Sequence, residues 1–274
     1  MKRLVVVAST LFALALSAAP IHADDKIGIV LMHGKQGSPL GIAPIGSNRP
    51  PAGGQLIAAL KDAGYLVTSP EMCWSGRRGL DKSFPECLKE IDDSIADLKS
   101  HGATAIVVAG LSQGGLAAIA YGATHADIIG VIAYAPADDP VGKSRQPAIA
   151  ATIAKAQQMV ANGKGSEKAS FDDVNTGPQG SFTMTLNTTA DIYLSFYAPD
   201  AATGMAGNMA KLKVPVLWVY SESDPSQRNA ISFFERALTN PLNRQVKVSA
   251  NHTETVNAGR DATLAWLKDL TAQP

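Results

Sequence analysis

"VVAGLSQGG" occupies residues 107–115, and its reading decides the fold. An apolar run over residues 105–109 stops at Gly110. One serine, Ser112, stands between glycines, and an apolar run resumes at once as "LAAIA" over 116–120. A plain turn accounts for the glycines but not for the immediate resumption. A strand ending near Gly110 and a helix starting near Gln113 account for both. Ser112 then sits on a tight strand-to-helix turn with its hydroxyl exposed. Gly110 and Gly114 remove side chains where they would collide with the neighbouring strand or helix. The helix N-terminus offers free N–H groups to developing negative charge.

The same rhythm runs outward from this turn. Apolar runs at 26–34, 65–72, 103–110, 128–138, 214–224 and 244–252 read as strands. Helical patterns at 53–64, 83–102, 113–126, 229–238 and 258–270 lie between or after them. In 83–102, Cys87, Leu88, Ile91, Ile95 and Leu98 share one face, and Gly102 ends the helix. Strands that alternate with helices and read as continuous apolar runs predict an α/β fold. Its core is a mostly parallel sheet of about six strands, with helices on both faces. Residues 138–209 break the rhythm. They hold a helical stretch (146–165), a segment rich in turn formers (174–189) and a further stretch with three aromatics (190–207). We read them as a cap-like insertion near the carboxyl ends of the strands, where such sheets build their ligand sites.

The chain has 274 residues, with 24 Lys plus Arg against 24 Asp plus Glu. Its start, "MKRLVVVASTLFALALSAAPIHA", has a basic pair, a short apolar stretch and a small residue, Ala23, suited to cleavage. Residues 1–23 are expected to be a signal peptide, residues 24–274 one domain, and the protein periplasmic or secreted. Without Lys2 and Arg3, 22 basic residues face 24 acidic ones and no basic run remains, which argues against a nucleic-acid partner. No second apolar stretch is long enough to span a bilayer, so no stable membrane anchor is expected after cleavage. Cys73 and Cys87 are the only cysteines, and in an oxidising compartment they are expected to pair.

A serine hydroxyl is a weak nucleophile and needs a base and an orienting acid, here in the chain order Ser, acid, His. His252, just after the sixth strand, is the only histidine that follows all the strands. Asp224 ends the fifth strand. Glu222 and, less well placed, Asp200 are alternative acids. His33 precedes the serine and is not read as the base. The loop after the first strand, "LMHGKQG" (31–37), supplies a candidate oxyanion hole: the backbone N–H of Lys35 paired with that of Gln113.

"HGKQG", "GLSQGG", "SESDP" and "NHTET", in this order, resemble the α/β-hydrolase superfamily over about residues 26–270. The resemblance implies an acyl-enzyme mechanism on ester-type substrates, with Ser112 as nucleophile, His252 as base and Asp224 as acid. Lys35 and Gln113 would form the oxyanion hole, and the insertion a lid. Residues 69–92, "SPEMCWSGRRGLDKSFPECLKEID", look like an exported bacterial subgroup whose members often have no assigned substrate. Cys73 stands where such sequences often carry proline. Dienelactone hydrolases of the superfamily use cysteine at the elbow, so the serine here does not imply that activity.

His33, Gln36, Met72, Trp74, Tyr193 and Phe196, with Tyr197, are candidates for the substrate pocket, and Lys35, Arg77 and Arg78 for contact with an anionic group. Nothing in the sequence points to a metal or organic cofactor. The expected function is exported serine hydrolysis of small-molecule or acyl esters. Acyl transfer, thioester cleavage and peptide cleavage share the same triad, and a non-catalytic envelope binding protein shares the same fold.

Overall fold

The computed structural model describes residues 25–43, 50–136, 139–177, 179–227 and 231–272. The expected signal peptide lies outside them. Six parallel strands form the central sheet: β1 (Ile27–Met32), β2 (Leu66–Thr68), β3 (Ala105–Leu111), β4 (Gly130–Tyr134), and, numbered here after the two strands of the insertion, β7 (Val216–Ser221) and β8 (Arg244–Val248). Their order is β2-β1-β3-β4-β7-β8, so β3, which carries the serine turn, lies in the interior of the sheet.

Each strand feeds two cores. Along β1, Ile27, Ile29 and Leu31 pack toward one side, Val30 and Met32 toward the other. The first side is covered by α1 (Gly54–Asp62) and α10 (Arg260–Thr271), through Leu56, Leu60, Trp266 and Leu267. The second is covered by α2 (Phe84–Ser100) and α3 (Gln113–Gly122). Because both faces are covered, β1, β3 and β4 are buried at every position and show no in-out alternation. The helix α2 begins where its sequence says it should. Ser83 and Glu86 form a reciprocal capping box, and Pro85 occupies the first turn, where its missing N–H costs nothing.

The insertion between β4 and β7 contains α4 (Pro140–Lys143), α5 (Pro147–Ala161), β5 (Lys168–Gly177), β6 (Gly180–Thr189), α6 (Ala190–Tyr197) and α7 (Met205–Lys211). The turn-rich reading of 174–189 needs correction. These residues belong to a long antiparallel hairpin, β5–β6, in register from Lys168↔Thr189 to Gly177↔Gly180. The insertion is packed on the core: Phe84 meets Phe196 edge-on with centroids 5.2 Å apart, and Thr188 Oγ1 donates to Leu80 O at 2.6 Å. After β7 come a short 3-10 turn (Pro225–Gln227) and α8 (Ile231–Phe234), which ends four residues before the helix expected over 229–238 does. The one-turn helix α9 (Thr255–Ala258) precedes α10.

Candidate active site

Ser112 holds φ 55° and ψ −114°, a backbone region that non-glycine residues avoid and that costs on the order of 1–3 kcal/mol. The surroundings over-determine it. Its N–H donates to Tyr134 O on β4 at 2.8 Å, and its own carbonyl accepts from Leu116 N at 3.0 Å. A Cβ on Gly110 would fall on the backbone of Gly114. One on Gly114 would lie 2.7 Å from the carbonyl oxygens of both Met32 and His33. The two glycines therefore let β1, β3 and α3 close on one another beneath the serine.

His252 follows β8 and Asp224 follows β7, on adjacent strands. His252 Nδ1 lies 2.5 Å from Asp224 Oδ2. The other carboxylate oxygen accepts from Ser226 twice, from Oγ at 2.6 Å and from N at 3.0 Å. Burial pushes the Asp224 carboxyl up. The hydrogen bond and charge of His252, with the bonds from Ser226, outweigh this and hold it below the ordinary aspartate range. With Nδ1 engaged by the carboxylate, Nε2 of His252 is the free lone pair. Glu222, the alternative acid, is exposed and pairs instead with Lys247 at 3.1 Å.

Two cavities share Ser112, Lys35 and His252 on their walls. The larger, about 390 Å³, is bounded by Asp224, Pro225 and Ser226 on one side and by Asn175, Phe182 and Met184 of the hairpin on the other. The smaller, about 240 Å³, is lined by His33, Gly34, Pro39, Leu40 and Ile42. Gly34 lies against the serine: a Cβ there would be 3.3 Å from Ser112 Cβ. Lys35 follows directly. Gln113 is buried at the first position of α3, and its side-chain Nε2 has no hydrogen-bond partner among the described residues.

The remaining candidates separate. His33 lines the smaller cavity but is committed to its own loop, with Nδ1 2.7 Å from Gly34 O and Nε2 accepting from Met72 N at 3.1 Å. Burial holds it below the ordinary histidine range, consistent with the neutral ring those two bonds require. The other pocket candidates line neither cavity. Met72, Trp74, Tyr193 and Phe196 are core side chains. Trp74 braces the site from behind, through Nε1 donating to His33 O at 2.9 Å and its carbonyl accepting from Gln36 N at 2.8 Å. Tyr193 stacks between Phe171 and Tyr197 inside the insertion. Gln36 is exposed, with φ 58°, and also lies off both cavities. Arg77 pairs with Glu71, and Arg78 with Asp81 and Glu90. Cys73 and Cys87 form a disulfide, which staples the loop carrying Met72 and Trp74 to α2.

Sequence reading missed Phe182 and Met184 as cavity walls, and Ser226 as a partner of the acid. The Phe-x-Met-x-Leu spacing of 182–186 was the available signal for the first pair.

The sequence profile of the serine aminopeptidase S33 family matches residues 55–253. The chain belongs to this family. The solved structures similar to this S33-family α/β hydrolase share its fold at low identity. A monoacylglycerol lipase from Paleococcus ferrophilus is 21% identical, with a TM-score of 0.62 over 89% of this chain and 94% of its own. The esterase Est1E from Butyrivibrio proteoclasticus, solved with ferulic acid, is 16% identical, with a TM-score of 0.56 over 89% and 90%. An esterase domain from a Rhodothermus marinus protein is 16% identical, with a TM-score of 0.56 over 91% and 90%. No protein of curated function matches this S33-family chain in sequence.

Proposed function

We propose that the chain is an exported serine hydrolase that cleaves carboxylic esters through an acyl-enzyme. The observation that carries this is the larger of the two cavities, on which the strained Ser112 and the Asp224-bound His252 both open, walled by Phe182 and Met184. Ser112 Oγ attacks the acyl carbon as His252 Nε2 takes its proton. Asp224 holds the imidazole in the productive tautomer and stabilises the imidazolium. The backbone N–H groups of Lys35 and Gln113 receive the oxyanion. The tetrahedral intermediate collapses, the alkoxide leaves with the proton from His252, and water repeats the steps to release the acid. The two cavities that meet at Ser112 take the acyl and alcohol portions, and the insertion acts as a cap over the larger.

The family description names an aminopeptidase. Such an enzyme needs an acceptor for the substrate's free ammonium. Among the described residues, the one carboxylate on either cavity wall is Asp224, already bound to His252. A wall without a spare carboxylate favours a neutral ester over an α-ammonium substrate. Export rests on the leader-like residues 1–23 and on the Cys73–Cys87 disulfide, which persists in an oxidising compartment.

The test is fluorophosphonate labelling of the protein beside Ser112→Ala, with hydrolysis of p-nitrophenyl acyl esters and of an aminoacyl p-nitroanilide. We expect labelling and ester turnover that vanish together in the variant, with ester preferred over anilide. Anilide turnover above ester turnover would make it a peptidase. A folded protein inert to all three probes would make it a binding protein.

A further inference from the structure

The insertion reaches the catalytic loop through a buried charge cluster that the mechanism above does not use. Asp173, on β5, is fully buried. Lys35, on the loop after β1, and Lys143, at the end of α4, both donate to its carboxylate, Lys143 at 3.0 Å. Both also donate to Asn175 Oδ1, at 3.1 and 3.2 Å. Three segments distant in sequence therefore meet on one carboxylate. Burial pushes Asp173 up, but the two ammonium groups outweigh it and keep the carboxyl below its ordinary range, so it is ionised at neutral pH.

The cluster lies next to the chemistry. Lys35 directly follows Gly34, where an added Cβ would lie 3.3 Å from Ser112 Cβ, and Lys35 itself lines both cavities. The backbone on either side is pinned from behind, through Trp74 Nε1 to His33 O and Gln36 N to Trp74 O. The side chain of Lys35 is pinned from the front, by the hairpin.

We propose that Asp173 is a positioning residue: by holding the Lys35 side chain it fixes the Lys35 backbone N–H against the oxyanion, so that the competence of Ser112 depends on the seating of the β5–β6 hairpin. This rests on the reading of Ser112 as nucleophile and Lys35 N–H as an oxyanion donor. A displaced donor costs rate steeply, since an error of about 1 Å in such a group lowers turnover by about 100-fold.

The experiment compares wild type, Asp173→Asn, Lys35→Met and Lys143→Met on a short p-nitrophenyl ester. Each is also measured for affinity toward a trifluoromethyl ketone, which forms a tetrahedral oxyanion adduct, and toward the unreactive methylene analogue of the same shape. Asp173→Asn is expected to lower kcat by about 10- to 100-fold with KM nearly unchanged. It should weaken the fluoroketone by the same factor and leave the unreactive analogue unaffected. Lys35→Met keeps the backbone N–H but cuts the same tie, should show the same signature, and carries the test if Asp173→Asn does not fold. Lys143→Met leaves the Asp173–Lys35 pair intact and should stay within about threefold of wild type on every readout. Asp173→Asn and Lys35→Met with wild-type kcat would overturn the proposal. So would losses shared equally by Lys143→Met that appear in KM and in the affinity for both ligands, which would mark the cluster as an anchor alone. A wild type inert to the ester and to the fluoroketone would overturn the underlying reading as well, and is told apart from those cases by the wild-type measurement itself.

Discussion

At the scale of single residues, the site is a chain of commitments that ends on His252. His252 is held by Asp224, and Asp224 by Ser226. Asp224→Asn keeps the shape but favours the wrong imidazole tautomer, and kcat should fall by about 10⁴-fold. Ser226→Ala removes a hydrogen bond to a charged group, worth about 1.5–3 kcal/mol, and should lower kcat about tenfold with little change in KM. Steady-state kinetics on one ester checks both, and equal losses in the two variants would contradict the ranking. The strand-end places of Ser112, Asp224 and His252, and the pairing of the last two, were legible in the sequence because such turns use few residue types in a fixed order. Ser226 and Asp173 were not, because a serine after an Asp-Pro turn or an aspartate in a polar stretch carries no sequence mark of its partner.

At the scale of elements, the fit between β3 and α3 depends on Gly110 and Gly114. Either glycine changed to alanine would place a methyl group into backbone, not into a flexible side chain. A loss of about 3 kcal/mol or more is expected in urea denaturation. The disulfide closes a loop across a sequence separation of 14, worth about 3 kcal/mol in the chain-entropy model. Because that loop carries Trp74 and Met72, which brace His33, Cys73→Ser/Cys87→Ser should lose activity at temperatures where the sheet is still folded. Circular dichroism followed beside turnover checks this, and coincident loss would contradict it. The inner strands β1, β3 and β4 were legible because burial on both faces makes them continuous apolar runs. The β5 strand was not: its inward positions are Phe171, Asp173 and Asn175, so two of three are polar and the alternation of hydrophobicity disappears. The polarity that concealed the strand is the polarity that binds Lys35.

At the scale of the whole molecule, the cleft lies between a rigid sheet and an insertion tied to it by aromatic packing and by one buried carboxylate. Asp173 and Asp224 each join segments distant in sequence, and both have folded-state pKa values below the ordinary aspartate value of about 3.9. The folded state therefore binds fewer protons than the unfolded state between the lowered and the ordinary pKa. The stability these pairs contribute is present above about pH 3.9 and is lost as pH falls through it toward the folded-state values. The urea midpoint should fall between about pH 5 and about pH 3, and Asp173→Asn should lose less over that interval. A variant that tracks the wild type through the acid range would contradict this. The overall α/β architecture was readable because alternation of strands and helices leaves few arrangements. How the insertion folds over the sheet was not, because its contacts join Leu80, Phe84 and Lys35 to residues a hundred or more positions away.

The most direct measurement of the central claim is the acyl-enzyme itself. Protein mixed with p-nitrophenyl acetate, quenched in acid within the first turnovers and digested, should show a mass gain of one acetyl group on the peptide that contains Ser112, with a matching burst of p-nitrophenol. Steady ester turnover with no burst and no acetyl group on Ser112, or acetyl on another residue in equal amount in Ser112→Ala, would contradict the account.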